Sequence, residues 1–382
     1  MTDATLWERA RNVLCVRLDA MGDVLMTTPA IRALKASGPP DRRVTLLTSP
    51  SGEAVARLVP ELDECFVYES PWMKASPPRP DGGYDRATID RLRAGGFDAA
   101  VIFTVYSQNP LPAALMCHLA DIPLRLAYCR ENPYGLLTDW VAELEPDRLV
   151  RHETRRQLDL VATVGARVED ERLSIRVPSA ARERVSSLLH DLEIPEGRPW
   201  AVIHPGSTAP SRRYAPEGFA EAARRLVRDH GLRVIFTGSG TERELVRSIR
   251  KAMGVPSYSL AGALDLAELA ALIERSPLLI ANNTGPVHVA AAVGTPVVDL
   301  YALTNPQHTP WAVPNRVLNH AVPCSPCYKS VCPEGHHNCL RLVTPDEVVR
   351  AALGLLGLPS ARGRALAEAD LVASRPPALV VD

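Results

Sequence analysis

The 382-residue chain has few aromatic residues, almost no net charge and no long apolar run. Its formal net charge is -1, so the composition gives no sign of general nucleic-acid binding. No apolar stretch reaches the roughly 18 residues of a membrane-spanning helix, which limits membrane contact to the periphery. The start, MTDATLWERARN, lacks the apolar core of a signal peptide, so we expect a cytoplasmic protein.

Strand-like and helix-like segments alternate along most of the chain. The strand patterns are VTLLTS, CFVY, DAAVIF and LRLAYC in the first half, then WAVIHPG, RVIFTGSG, LLIANNTG and PVVDLYA in the second. Such alternation predicts parallel sheets covered by helices, and the chain length favours two domains. We therefore predict an α/β fold in which two doubly wound, Rossmann-like domains face each other across a cleft.

A break between the two alternating regions sets the predicted domain boundaries. We place the first domain at residues 1–178, a linker at 179–199 and the second domain at 200–358. The remaining residues, 359–382, form a tail rich in Ala, Arg and Pro that either crosses back onto the first domain or is partly disordered. In open α/β sheets, ligands bind beyond the carboxyl ends of the strands, so residues that follow strands are the candidates for a site.

The stretch RLDAMGDV follows the first predicted strand. Gly22 allows a tight turn, and Asp23 falls in the first turn of the next predicted helix. There the free N–H groups and the helix dipole stabilise a carboxylate. A carboxylate held ionised at the mouth of a cleft can take a proton from an acceptor hydroxyl. The alternative interpretation is an ordinary helix-start aspartate.

The stretch IHPGSTAPSRRY ends a strand of the second half. Ser207 lies in a glycine-containing turn, and Arg212 and Arg213 follow before the next helix. Two guanidinium groups suit a diphosphate because each can donate bidentate hydrogen bonds. The alternative is a solvated pair of arginines.

The stretch ANNTGPVHVAAAVG joins another strand to a helix. Asn283, Thr284 and Gly285 are small residues at a helix N-terminus, where free backbone N–H groups form a phosphate cradle. His288 lies in the first turn of that helix. The alternative is a capped helix with a structural histidine.

Four of the eight cysteines crowd into CSPCYKSVCPEGHHNC, a Cys-rich loop at residues 324–339. Cys324, Cys327, Cys332 and Cys339 have the spacing C-x2-C-x4-C-x6-C, and C-x2-C is typical of tetrahedral thiolate sites. In a reducing compartment this crowding favours a metal over disulfides. We predict structural zinc or iron here; the alternative is a reduced, metal-free loop.

Together, RLDAMGDVLMTTPAIRALK, HPGS…RRY and NNTGPVHVAAAVGTPVV resemble the family 9 glycosyltransferases, whose best-known members are ADP-heptose:lipopolysaccharide heptosyltransferases. The likeness runs from about Val13 to about Ala351. It implies a GT-B fold with an N-terminal acceptor-binding domain and a C-terminal nucleotide-sugar-binding domain. It also implies inverting transfer of heptose from an ADP-activated donor to a saccharide hydroxyl, at the cytoplasmic face of the inner membrane and without a cofactor for the chemistry.

The resemblance assigns roles to individual residues. Asp23 falls on the family's catalytic aspartate, and Thr284, Gly285 and His288 fall on its donor-phosphate motif. Glu242 falls near an acidic residue that family members use on the nucleotide ribose. The implied partners are therefore the nucleotide-sugar donor, ADP-heptose, and a glycan or lipid-linked saccharide acceptor.

Two positions depart from the family pattern. Arg212 stands where the family usually has lysine, and Asn283 stands where many heptosyltransferases carry aspartate. In the implied mechanism Asp23 is the base and Arg212 stabilises the departing diphosphate. Two alternatives stay open: a related glycosyltransferase that uses another sugar or a protein or other glycan acceptor, and a nucleotide-binding homologue without catalysis.

Overall fold

The computed structural model describes residues 4–73, 76–194, 197 and 199–359. The predicted tail therefore lies outside the described residues, apart from Pro359. Two six-stranded parallel sheets form the centre of the molecule. The α/β prediction with two doubly wound domains is confirmed.

The first sheet has the strand order β3-β2-β1-β4-β5-β6. Its strands are β1 (Asn12–Arg17), β2 (Arg43–Thr48), β3 (Glu64–Val67), β4 (Ala99–Ile102), β5 (Leu124–Cys129) and β6 (Asp139–Ala142). The helices of this half are α1 (Ala4–Arg9), α2 (Met21–Ala36), α3 (Pro50–Ala56), α4 (Gly83–Ala94), α5 (Leu111–Leu119) and α6 (Glu153–Ala162), with a 3-10 turn at Tyr134–Leu136.

The second sheet has the order β12-β11-β10-β7-β8-β9. Its strands are β7 (Trp200–His204), β8 (Arg233–Phe236), β9 (Tyr258–Ser259), β10 (Leu279–Asn282), β11 (Val297–Leu300) and β12 (Asn315–Leu318). The helices are α7 (Ser179–Asp191), α8 (Pro216–Arg228), α9 (Arg243–Met253), α10 (Leu266–Arg275), α11 (Gly285–Val293), α12 (Asn338–Arg341) and α13 (Pro345–Leu356), with 3-10 turns at Pro210–Arg212 and Gly240–Glu242.

Both faces of each sheet are buried. Along β1, Val13 and Cys15 pack into one apolar core while Leu14 and Val16 pack into another on the opposite face. Burial on both faces explains why the central strands read as continuous apolar runs rather than alternating ones.

The order of the strands places the candidate residues at one edge of each sheet. In the first sheet the chain runs outward from β1 to β3 in one direction and from β4 to β6 in the other. In the second sheet it runs outward from β7 to β9 in one direction and from β10 to β12 in the other. Loops that follow such neighbouring strands diverge and leave a crevice. Asp23 follows β1, Ser207 follows β7 and Asn283 follows β10, so each lies at a switch point.

Two features differ from the sequence prediction. The predicted linker contains the 13-residue helix α7, which packs on α10 beside the second sheet. Strands β6, β9 and β12 were not predicted, because all three lie at sheet edges and their residues are not uniformly buried. The domain boundaries themselves stay a prediction. Among the described helices, none combines the length and apolarity that crossing a membrane requires.

Helix α13 provides a test of local stability. Thr344 Oγ1 accepts a hydrogen bond from Glu347 N at 3.3 Å, and Glu347 Oε2 accepts one from Thr344 N at 2.7 Å. We expect Thr344→Ala to lower the free energy of unfolding by about 1 kcal/mol, because this capping box loses one partner. Urea unfolding measures the change. Thr88→Ala, within helix α4, is the matched control and should cost nothing; equal losses in both variants would contradict the prediction.

Candidate functional site

A cavity of about 520 Å³ lies between the two halves of the molecule. Its wall contains most of the residues that the sequence predicted: Gly22, Asp23, Ser207, Arg212, Thr284, Gly285 and His288. These residues come from three separate segments, so the fold brings together what the sequence keeps far apart.

The N-termini of α2 and α11 meet at this cavity. A Cβ atom at Gly22 would lie 2.7 Å from His288 Cδ2, and one at Gly285 would lie 2.7 Å from Met21 Sδ. Glycine at both positions therefore allows the two helices to approach. Helix α2 already has Asp23 in its first turn, whereas α11 has no acidic residue there. The α11 N-terminus thus keeps its N–H groups and positive dipole end for an anionic ligand.

Asp23 is held by its own helix and by a buried arginine. Its Oδ2 accepts a hydrogen bond from Ala20 N at 3.2 Å, and its Oδ1 accepts one from Arg17 Nη2 at 3.3 Å. The side chain keeps 18% of its surface exposed. The carboxylate is therefore oriented by the protein and still accessible from the cavity.

The Arg17 guanidinium joins three carboxylates. Besides Asp23, its Nε lies 2.9 Å from Asp19 Oδ2 and its Nη1 lies 2.8 Å from Glu153 Oε1. The Arg17 and Glu153 side chains are fully buried. Neither residue was predicted from the sequence, although an arginine inside the apolar strand VLCVRL is itself a signal, since a buried charge needs a partner.

The shared guanidinium sets the protonation of this cluster. Burial raises the pKa of Asp23 above its ordinary value, against the lowering effect of Arg17. Burial also raises the pKa of Asp19, to about 6. For Glu153 the effect of burial is outweighed, because Arg17 and Arg156 bring its pKa below the ordinary value. A base whose pKa is raised towards neutrality is suited to accepting a proton near pH 7.

Arg212 lies on the cavity wall opposite Asp23, in the 3-10 turn after β7. It forms no salt bridge with the residues that the structure describes, so its guanidinium is available for a ligand. Arg213 has a different role, because its Nε donates to Ser207 O at 2.8 Å and its Nη2 donates to Thr208 O at 3.3 Å. Arg213 therefore fixes the turn that carries Ser207.

A second cavity, of about 820 Å³, continues from the first past Ser207. Glu242 and Arg213 contribute charged groups to its wall, and its apolar lining comprises Phe219, Leu245, Ile249 and Leu340. Glu242 Oε2 accepts a hydrogen bond from Ser239 N at 2.7 Å. Its carboxylate occupies the space that a Cβ at Gly206 would need. The predicted ribose carboxylate is thus beside the cleft.

The Asn283 side chain forms its hydrogen bonds inside the second domain. Its Nδ2 donates to Asp299 Oδ2 at 3.0 Å and to His308 O at 2.8 Å. The side chain is buried behind the α11 N-terminus. His308 itself lines the 520 Å³ cavity, with Nε2 3.9 Å from Asp23 Oδ1, and was missed by sequence analysis.

The predicted metal site at residues 324–339 lacks structural support. The four cysteines line one small cavity of about 20 Å³ with His336 and His337. Even so, no group of three or more ligating side chains among the described residues is spaced to hold a metal ion. Protein contacts hold the loop instead: Cys327 N donates to Leu303 O at 3.2 Å, and His337 Nε2 donates to Ser211 O at 2.7 Å.

Comparison with known proteins gives the family. Residues 86–338 match the family model of glycosyltransferase family 9 (heptosyltransferase). The chain belongs to this family. Lipopolysaccharide heptosyltransferase 2 of Salmonella typhimurium is 25% identical over 359 residues, which span 90% of this chain and 98% of that protein. The Escherichia coli (strain K12) protein of the same name is equally similar, with the same coverage.

Solved structures agree on the fold. A family 9 glycosyl transferase from Veillonella parvula superposes with a TM-score of 0.74 at 21% identity, covering 91% of this chain and 98% of that one. The E. coli ADP-heptose lps heptosyltransferase II superposes with a TM-score of 0.68 at 23% identity, covering 90% and 98%. These structures confirm the GT-B architecture, and the family match confirms the identification as a glycosyltransferase.

Asp299 provides a pH test behind the site. Burial raises its pKa from the ordinary 3.8 to about 8. Because the folded pKa exceeds the unfolded one, the stability contributed by the neutral acid is complete below the unfolded pKa and is lost as pH rises through the folded pKa. We expect Asp299→Asn to flatten the fall in unfolding free energy between about pH 4 and about pH 8.

Urea unfolding at several pH values measures this effect. Exposed Asp191 provides the matched control, Asp191→Asn, which should keep the pH dependence of the native protein. The prediction is wrong if Asp299→Asn keeps that dependence as well.

Proposed function

We propose that this glycosyltransferase moves heptose from an ADP-activated donor to a hydroxyl of the lipopolysaccharide inner core, with inversion at the anomeric carbon. The observation that supports it best is the 520 Å³ cavity, which has Asp23 on one wall and Arg212 with the α11 N-terminus on the other. The similarity to lipopolysaccharide heptosyltransferases over nearly the whole chain supports the choice of sugar and acceptor.

Asp23 acts as the general base. It takes the proton from the acceptor hydroxyl while that oxygen forms a bond to the anomeric carbon. The bond from that carbon to the β-phosphate oxygen breaks on the opposite face, which inverts the configuration. Negative charge then grows on the leaving ADP, where Arg212, the N–H groups of Thr284 and Gly285 and the α11 dipole stabilise it.

The 820 Å³ cavity holds the nucleoside. Glu242 accepts hydrogen bonds from the ribose hydroxyls, and the apolar side chains of Phe219, Leu245 and Ile249 cover the base. Ser207 lies on the walls of both cavities, so one diphosphate can bridge them.

The acceptor binds to the first domain. A cavity of about 260 Å³ beside Asp19 is lined by Trp72, Gln108 and Asn109. Amide groups suit sugar hydroxyls, and an aromatic face suits the apolar side of a sugar ring. The acceptor is lipid-linked in this proposal, so the enzyme works at the cytoplasmic face of the inner membrane through peripheral contact.

Arg212 and Asn283, which depart from the family pattern, favour one alternative: a relative with a different donor or acceptor.

Thermal shifts with ADP, GDP and UDP separate transfer from an ADP-activated donor from the two alternatives, transfer from another donor and nucleotide binding without catalysis. We expect ADP to raise the melting temperature most, because the proposed donor is ADP-activated. A larger shift with GDP or UDP would indicate another donor, and no shift with any of the three would favour a homologue without catalysis.

Replacing the base tests the mechanism. We expect Asp23→Asn, which keeps size and removes the charge, to lower kcat about 100-fold or more. ADP affinity should change little, because ADP contacts the opposite wall. Calorimetric ADP titration and a transfer assay measure the two quantities, and Asp191→Asn is the matched control. Full turnover in Asp23→Asn would exclude Asp23 as the base.

A further inference from the structure

The segment 305–311 is bonded to both domains. On the side of the first domain, Gln307 O accepts from Glu153 N at 3.0 Å and Gln307 Nε2 donates to Arg151 O at 2.9 Å. Thr309 O accepts from His152 Nε2 at 2.8 Å. Two residues further, Trp311 Nε1 donates to Glu171 O at 2.7 Å. We call residues 305–311 the interdomain strap.

His308, in the middle of the strap, is held from the second domain. Its N donates to the Tyr301 hydroxyl at 3.1 Å, and its O accepts from Asn283 Nδ2 at 2.8 Å. Gln307 and Thr309, on either side of His308, are thus bonded to the first domain, whereas the backbone of His308 is bonded to the second. Both domains together determine where the imidazole lies relative to Asp23.

The His308 side chain is buried, yet its Nε2 has no hydrogen-bond partner among the described residues. That atom lies 3.9 Å from Asp23 Oδ1. A buried ring nitrogen without a hydrogen-bond partner is costly, so it calls for an explanation in the working enzyme. Hydrogen bonds of catalytic groups are often long without substrate and shorten when the substrates bind.

We propose that His308 is a positioning residue for Asp23: when donor and acceptor fill the cavity, its neutral imidazole donates from Nε2 to Asp23 Oδ1. The hydrogen bond would hold the carboxylate ionised and aimed at the acceptor hydroxyl. This role rests on the proposed function of Asp23 as the base. His308 is not a catalytic residue in the strict sense, because it acts through Asp23.

The surroundings keep His308 neutral. Burial lowers its pKa to about 4, and Arg212 and Arg17 lower it as well, against Glu153 and Asp19. A neutral imidazole with a proton on Nε2 can donate to a carboxylate without forming an ion pair. Charged and titratable groups face Asp23 from several elements: Arg17 of β1, Asp19 of the following loop, Glu153 of α6, Arg212 of the turn after β7, His288 of α11 and His308 of the strap.

His308→Ala and His308→Gln test the proposal. A hydrogen bond to the charged form favours that form, so its loss should raise the pKa of Asp23. For His308→Ala we expect kcat about tenfold lower, a donor KM changed less than about twofold, and the acid limb of the pH–kcat profile moved towards neutral pH. His308→Gln, whose amide can donate, should recover most of kcat and restore the acid limb.

The controls separate positioning from folding. His190→Ala, at an exposed position of α7, should leave kcat and the pH profile unchanged. A purely structural role for His308 predicts a lower melting temperature with an unmoved acid limb. That outcome, a dominant rise in donor KM, or a glutamine variant no better than the alanine variant would each overturn the proposal.

A second readout does not require turnover. The carboxyl carbon of Asp23, labelled with ¹³C and assigned with Asp23→Asn, is titrated by NMR in the presence of ADP and an inner-core saccharide acceptor, so that the cavity is filled. His308→Ala should move this titration to higher pH, and an unchanged titration would overturn the proposal. Failure of the native protein to use ADP-heptose would count against the proposed function alone.

Discussion

The buried guanidinium of Arg17 is the interaction on which the site depends. It lies at the end of the central strand β1 and contacts Asp19, Asp23 and Glu153, so one positive charge serves three acids. Burial raises the pKa of the Asp19 and Asp23 carboxyl groups above their ordinary value, against the lowering effect of this one shared guanidinium. Because Glu153 begins α6, the same guanidinium also ties the end of β1 to a helix 136 positions away along the chain. A site of this kind needs both the positive charge of Arg17 and the burial of that charge.

The second constraint is the meeting of two helix N-termini. Each sheet has a switch point, and the helix that follows β1 and the helix that follows β10 end up facing each other. The glycines at positions 22 and 285 make this approach sterically feasible. The N-terminus of α2 carries Asp23, and the N-terminus of α11 is left with free N–H groups. An acidic side chain and the free N–H groups of a helix N-terminus therefore line a single cavity, which is the arrangement that the proposed glycosyl transfer requires.

The asparagine at position 283 also has a physical explanation. Its amide donates to a carbonyl oxygen, His308 O, and to the carboxyl oxygen of Asp299. An aspartate at position 283 would place a third hydrogen-bond acceptor against these two acceptors, the His308 carbonyl oxygen and the Asp299 carboxyl oxygen. The amide thus suits a chain that needs to hold the interdomain strap in place, and Arg212 supplies charge at the cavity wall. Arg212 and Asn283, the two departures from the family pattern, both lie around the interdomain strap. This position links them to the placement of His308.

Sequence by itself determined the alternation of strands and helices, and hence the two doubly wound domains. It also marked the glycine-containing strand ends that carry Asp23, Ser207 and Thr284, because strand ends and helix starts have local signatures. The edge strands β6 and β12 have no comparable apolar pattern. Only the tertiary structure decided that Arg17 pairs with Glu153, that Asn283 is buried and that His308 approaches Asp23. These contacts join residues that lie far apart in the chain. Their charges and unpartnered atoms matter only because the folded structure buries them. No local pattern encodes such a neighbour.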